Sequence, residues 1–346
     1  MTTAAPSPRT ADSGSVRSAG KGRIPGILLG GAVAGLAAAC GPLLPGASPL
    51  ILAMVAGVVL ANTVGPPAAA GPGLTFCSQT LLRAGIVLLG LQIVLGDILA
   101  LGAGASAVLV AVVVCGLLGT LLIGRALRLP PSLTLLVACG FSICGAAAVG
   151  AAAGVADPRR ERDQDVVTAV ALVVLCGTLM IPLLPLAAAS LGLDAADAGL
   201  WAGAAVHEVA HVVAVGAVLG GDAPETAVVA KLGRVLMLAP AVAVLGLHLR
   251  RRRAVSAGGR RPPIVPPFVL GFLAMVALRS TVPPPEVVLD VAAAARTLLL
   301  AAAMFALGCG VRLHALVAVG PRPLILAGLS TLLVAAVALG GVLLVG

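Results

Sequence analysis

The residues Trp201–Gly216 read W-A-G-A-A-V-H-E-V-A-H-V-V-A-V-G, and Glu225–Pro240 read E-T-A-V-V-A-K-L-G-R-V-L-M-L-A-P. Each stretch is apolar enough to cross a bilayer, yet the first carries His207, Glu208 and His211 and the second carries Lys231 and Arg234. An ionisable side chain at membrane depth costs about 2.5–3.5 kcal/mol on insertion scales, so such groups face a protein interior or a water-filled path. The rest of the chain must provide that interior.

The sequence around this pair of segments fits the requirement. The chain has 346 residues, of which 60% are hydrophobic and only 10% charged, whereas a soluble domain carries about 25% charged residues. Long uncharged runs recur at Ile24–Leu82, Ile98–Gly124, Leu129–Ala156, Val166–Leu193, Pro262–Leu278 and Pro323–Gly346. Runs of roughly 20 apolar residues span a bilayer as helices. These runs lack the alternation of a membrane barrel, so the fold class is an all-α polytopic membrane protein.

Cutting the runs at Pro, Gly and charge gives about eleven transmembrane helices, near 24–40, 48–63, 74–96, 99–124, 131–156, 165–191, 196–219, 224–249, 263–281, 286–316 and 321–345. Residues 1–23 are polar and read as a disordered cytoplasmic tail; residues 24–346 form one transmembrane domain. Ala37–Cys40 faintly resembles a lipoprotein cleavage site, but the many spans that follow favour an uncleaved first helix.

The net charge is +9. Its basic residues lie mostly in short loops, with few aromatic residues to stack bases, which excludes a nucleic-acid partner and leaves topology as their role. Arg9, Arg17, Lys21, Arg23, Arg125, Arg128, Arg250–Arg253, Arg260, Arg261, Arg312 and Arg322 fall on one side; Arg159, Arg160, Arg162 and Arg279 fall on the other. That asymmetry places the N-terminus in the cytoplasm of a bacterial cell with the chain in its inner membrane. The seven cysteines sit in or beside apolar runs without CxxC spacing and read as packing residues.

After the first helix, ten remain, and they divide into two inverted five-helix repeats, about 48–191 and 196–345. The fourth helix of the first repeat contains Ser142-Ile143-Cys144-Gly145, and that of the second contains Gly308-Cys309-Gly310. Both are expected to be broken there. Leu81–Leu89, with Arg83, is expected to match Leu232–Leu238, with Arg234. Inverted repeats with interrupted helices are a transporter signature, with the site where the interruptions meet near the midplane.

His207-Glu208-Val209-Ala210-His211 also fits H-E-x-x-H, the helical zinc motif of metalloproteases. A third ligand in a suitable context is missing from the sequence, and Lys231 and Arg234 oppose a dication, so an intramembrane protease ranks below a transporter. Glu208 is expected to pair with Lys231 or Arg234, since buried charges are usually paired. The surplus of basic groups at mid-span favours an anionic substrate, although snorkelling would remove Arg83 or Arg296 from that count.

Together, Ser142–Val149, Val206–Gly216, Ala227–Pro240 and Leu81–Gly90 resemble the corresponding motifs of the YeiH-like family of bacterial inner-membrane proteins, described as sulfate exporters. The similarity runs from about Ile24 to the C-terminus. His211 stands where that family usually has Gln, which weakens the zinc reading. The resemblance implies a fold distantly similar to bile-acid symporters and cation–proton antiporters, with crossed, broken helices, and an activity of small-anion export.

The resulting expectation is a secondary transporter that exports a small anion, such as sulfate or an organosulfur metabolite, by alternating access. Substrate contacts are expected from Ser142, Ile143, Cys144, Gly145, Gly308, Cys309, Gly310, Arg83, Lys231 and Arg234, and proton coupling from His207 and Glu208. Gln92 and Asn62 are weaker candidates. No cofactor, resident metal or catalytic residue is expected; the partners are a small anion and the lipid bilayer, with a homodimer left open. A cation–proton antiporter on the same scaffold is the first alternative, and the H-E-x-x-H protease the second.

Overall fold

The computed structural model describes residues 22–41, 48–156, 163–254, 267–282, 284–311 and 320–345. Among these residues the secondary structure is helical. The helices are α1 (Ile24–Cys40), α2 (Pro49–Asn62), α3 (Ala68–Gln92), α4 (Leu95–Ala100), α5 (Gly102–Ala126), α6 (Pro131–Ser142), α7 (Ala146–Ala156), α8 (Asp163–Leu191), α9 (Ala195–Ala205), α10 (Val209–Leu219), α11 (Ala223–Leu236), α12 (Leu238–Ala254), α13 (Pro267–Thr281), α14 (Glu286–Gly310) and α15 (Pro321–Val345). Six stretches are helical, long and apolar enough to cross a membrane: α3, α5, α8, α11 with α12, α14 and α15.

Local sequence explains most boundaries. Pro at the first turn starts α2, α6, α11, α13 and α15, where its missing N–H leaves nothing unpaired. Ser48 caps α2 by accepting from Leu50 N, and Asp194 caps α9 by accepting from Asp197 N. The expected helix over 224–249 is divided at Met237 between α11 and α12, three residues before Pro240, whose ring denies the turn behind it a donor.

Two further departures matter more. The expected continuous helix over 196–219 is instead two pieces, α9 and α10, separated by extended backbone at Val206 and Glu208. The other concerns the second break: α14 is helical through Gly308 and Cys309 and ends at Gly310, the far edge of the break expected at Gly308–Gly310, with Val311 extended and its carbonyl accepting from Asn62 Nδ2 at 2.8 Å. Residues 312–319, where any second piece would lie, are outside the described residues.

Gly308 serves packing there. A β-carbon on it would sit 2.4 Å from Met54 O, and one on Gly57 would sit 2.3 Å from Phe305 O, so α14 and α2 cross at backbone contact. The helices α1, α2, α3 and α14 form one packed group around Ala34, Ala53, Cys77 and Phe305; α5, α8, α9, α10, α11 and α15 pack around Trp201, Val206 and Val215. Between them lies a larger core containing Phe141, Ile143 and Val149 of the α6–α7 region.

Candidate functional site

A helix that stops inside a protein leaves its last carbonyls without N–H partners. Here two helices stop close together: α6 at Ser142 and α9 at Ala205. The donors come from α11. Lys231 Nζ donates to Ile143 O at 3.0 Å and to Val206 O at 2.7 Å. Arg234 donates from Nε to Ser142 O at 3.2 Å and from Nη2 to Phe141 O at 2.8 Å. Its Nη1 reaches Ala204 O at 2.7 Å and Val206 O at 3.1 Å.

Both side chains are fully buried (0% exposed). Spaced three apart on α11, they share one helix face, and together they bridge the two severed ends. A helix C-terminus carries roughly half a negative charge, so a cation there is favoured as well as hydrogen-bonded. The expected ion pair between Glu208 and Lys231 or Arg234 is therefore not the arrangement found. Among the described residues neither cation comes within ion-pair distance of Glu208, whose basic neighbour is the His211 imidazole, with Nδ1 3.9 Å from Oε2.

Glu208 sits on the opposite kind of helix end. Its Oε1 accepts from Ala146 N at 2.8 Å, at the first turn of α7, where a carboxylate meets the positive end of the helix dipole. Gly145 makes this approach possible. Its φ is +79°, and a β-carbon on it would lie 2.2 Å from Glu208 Cγ. Its N–H bonds Gly140 O at 2.8 Å, closing the end of α6, and its carbonyl accepts from Val149 N to begin α7.

Glu208, Cys144 and Ala147 line a cavity of about 540 Å³, together with Val209 and Ala210 from the first turn of α10. Its other walls include Ile86 and Leu89 of α3, Val213 and Ala214 of α10, and Leu300 and Met304 of α14. Arg296 and Thr297 of α14 belong to them too, as do Ala38 of α1 and Ser48, Pro49 and Leu50 at the start of α2. Glu208 is thus the acidic residue of this lining and Arg296 its basic one.

The predicted site residues separate into groups. Ser142, Ile143, Cys144 and Gly145 form the first break, and Lys231 and Arg234 hold it. Gly308, Cys309 and Gly310 lie outside the cavity lining; Gly308 is at the crossing with α2, and a β-carbon on Gly310 would face Val167. Arg83 is exposed, its guanidinium 5.7 Å from the ring centre of Phe268, and does not correspond to Arg234 in position or role.

His207 is buried away from the cavity. Its ring lies 4.4 Å from that of Phe141, with Nδ1 3.3 Å from Phe141 O and Nε2 3.0 Å from Thr331 Oγ1. His211 Nε2 instead approaches Thr178 Oγ1 at 3.4 Å. Because the chain is extended before Val209, His207 and His211 are not one turn apart on a single helix, and the premise of the H-E-x-x-H reading fails.

The break at Val206–Glu208 was missed, although adjacent His207 and Glu208 signalled it. Neighbouring residues on a helix point about 100° apart, and here they serve different surroundings, Glu208 in the cavity wall and His207 against Phe141 and Thr331. Arg296 reads in the sequence only as one more basic residue within a span, and its place in the cavity wall comes from packing.

Similarity to known proteins is extensive. The family model described as "Conserved hypothetical protein 698" matches residues 25–327. A UPF0324 membrane protein of Corynebacterium glutamicum is 52% identical over 320 residues, covering 92% of this chain and 92% of the relative. A UPF0324 membrane protein of Pseudomonas aeruginosa is 41% identical over 328 residues, covering 88% and 90%. The UPF0324 membrane protein TauZ of Paracoccus denitrificans is 38% identical over 268 residues, covering 75% and 78%. No solved structure matches.

Proposed function

The chain belongs to the conserved hypothetical protein 698 family, also called UPF0324, of membrane proteins, and from its two facing helix breaks we propose that it is a secondary transporter for a small anion. The observation that carries this reading is the placement of Glu208: a carboxylate at the break, on a helix N-terminus, in the wall of a cavity. Broken helices at a buried cavity are how transporters present backbone dipoles to a substrate while keeping every other group paired.

The charge balance supports an anion. The two severed C-termini and the two new N-termini cancel in sum, which leaves Lys231 and Arg234 against the single carboxylate of Glu208. Each proposed repeat, 48–191 and 196–345, then contributes a broken helix to this site, the second one through its first helix at Val206–Glu208. Alternating access would act by shifting the brace between α11 and the two breaks, with Glu208 taking up and releasing a proton. The protein would sit in the bacterial inner membrane with its N-terminus in the cytoplasm.

Reconstitution tests the proposal. Wild-type protein in proteoliposomes should move an anion down its gradient and carry protons with it. Glu208→Gln keeps an oxygen for Ala146 N–H, so it should fold normally yet lose coupled proton flux. Proton-coupled flux undiminished in that variant would remove Glu208 from the mechanism.

A further inference from the structure

We infer that Arg296 selects the substrate, and that the substrate is an organic anion with one acidic head on an apolar body, in preference to bare inorganic sulfate. This rests on the transporter reading of the same cavity and names what that cavity accepts.

Lys231 and Arg234, the cations that sequence alone favours for anion binding, are committed to carbonyls of the two helix ends and are fully buried. Neither contributes to the cavity lining, which contains one cation, Arg296. Arg296 lies near the middle of α14, and its Nη1 donates to Gln92 Oε1 at the end of α3. That bond fixes the direction of the guanidinium. Its Nε–H is buried and has no hydrogen-bond partner among the described residues. A buried donor left open is costly by itself, and here the open donor belongs to a group beside a cavity, suited to a planar or tetrahedral oxyanion.

The remaining walls limit what that oxyanion is attached to. Ile86, Leu89, Val213, Leu300 and Met304 offer no donors, and apart from Arg296 the polar side chains of the lining are Glu208 and the hydroxyls of Ser48 and Thr297, too few to surround a second face of the ligand. Inorganic sulfate, stripped of water, presents acceptors in every direction and two charges; apolar walls would leave most of them unsatisfied. Glu208 in the same lining further opposes a second negative charge. An organic monoanion meets both constraints, with its head on Arg296 and its methylenes against the aliphatic walls. A volume of about 540 Å³ falls in the range of sites for small organic molecules.

The test is titration of purified full-length protein in detergent, at constant ionic strength, with sodium sulfate, methanesulfonate, 1-butanesulfonate and 1-butylammonium. Affinity should rise about fourfold for each methylene buried between the two sulfonates. Butanesulfonate should bind more tightly than sulfate, and butylammonium should not compete. Arg296→Gln should weaken butanesulfonate at least about tenfold, with Arg296→Lys intermediate. Tightest binding of sulfate, affinity independent of chain length, binding of none of the anions, or unchanged affinity in Arg296→Gln would each overturn the inference. The chain-length series needs no variant, so it decides even where Arg296→Gln does not fold. Glu208-dependent flux of sulfate without any chain-length effect would sink this inference and leave the transporter intact. Selective butanesulfonate binding without flux of any anion would do the reverse.

Discussion

The pairs Cys144–Gly145 and Cys309–Gly310 look alike in sequence, each a small dipeptide amid apolar residues at mid-span, and they fold differently. At the first, the helix ends, Gly145 adopts φ +79°, and the exposed backbone groups of Phe141, Ser142, Ile143 and Ala146 are met by Arg234, Lys231 and Glu208. At the second, the helix runs through Cys309 and ends at Gly310 without a left-handed residue, and the nearby Gly308 lets α2 approach. The difference lies in what stands opposite. A helix can end in an apolar interior only where other groups take over its hydrogen bonds: α11 delivers two cations to the first site, whereas at the second Asn62 Nδ2 donates to Val311 O at 2.8 Å.

The comparison can be broken most severely by removing the brace. Arg234→Met leaves Ser142 O and Ala204 O without the donor each now has. Stability should fall by on the order of 3–5 kcal/mol, as for other buried charges whose network is broken. Poor accumulation and an early thermal transition in detergent would show it; a near-wild-type melt would mean that the breaks hold themselves open.

A smaller and more pointed effect is expected at the glycines. Gly145→Ala forces a side chain into a left-handed conformation and against Glu208 Cγ, which should destabilise by about 1–3 kcal/mol and abolish transport. Gly310→Ala, at the last residue of α14 and at no left-handed φ, meets only the Val167 side chain, 3.1 Å from Cγ2, and should stay within about 1 kcal/mol of wild type. Equal loss in both variants would erase the distinction drawn between the two pairs. The smallest effect should come from Arg83→Gln. This exposed residue is outside both sites, and its removal should leave the melting midpoint and flux unchanged within error.

The Cys-Gly dipeptide is by itself a weak marker of a break, since it recurs in this chain at Cys40, Cys115, Cys139 and Cys176. Positions of the apolar helices, by contrast, were legible in hydropathy and Pro or Gly punctuation among the described residues, although the segment over 224–249 is divided at Met237 and the one over 196–219 hides a break. That break is made of Val206, His207 and Glu208, and window hydropathy does not distinguish a severed span from a whole one. Arg83 and Arg296 are equally ambiguous in sequence, since both are single arginines in apolar runs. Only the packing shows that one reaches past Phe268 and the other stands beside the cavity.

Composition and charge placement alone determined that this chain folds as a bundle of apolar helices and that Lys231, Arg234 and Glu208 had to be compensated inside it. Which groups compensate them was decided by tertiary structure. Lys231 and Arg234 bind carbonyls as many as 88 and 93 residues away in sequence, and a carbonyl is present at every position. A backbone acceptor carries no residue identity, so its recruitment to a cation leaves no mark in the sequence until the helices have crossed.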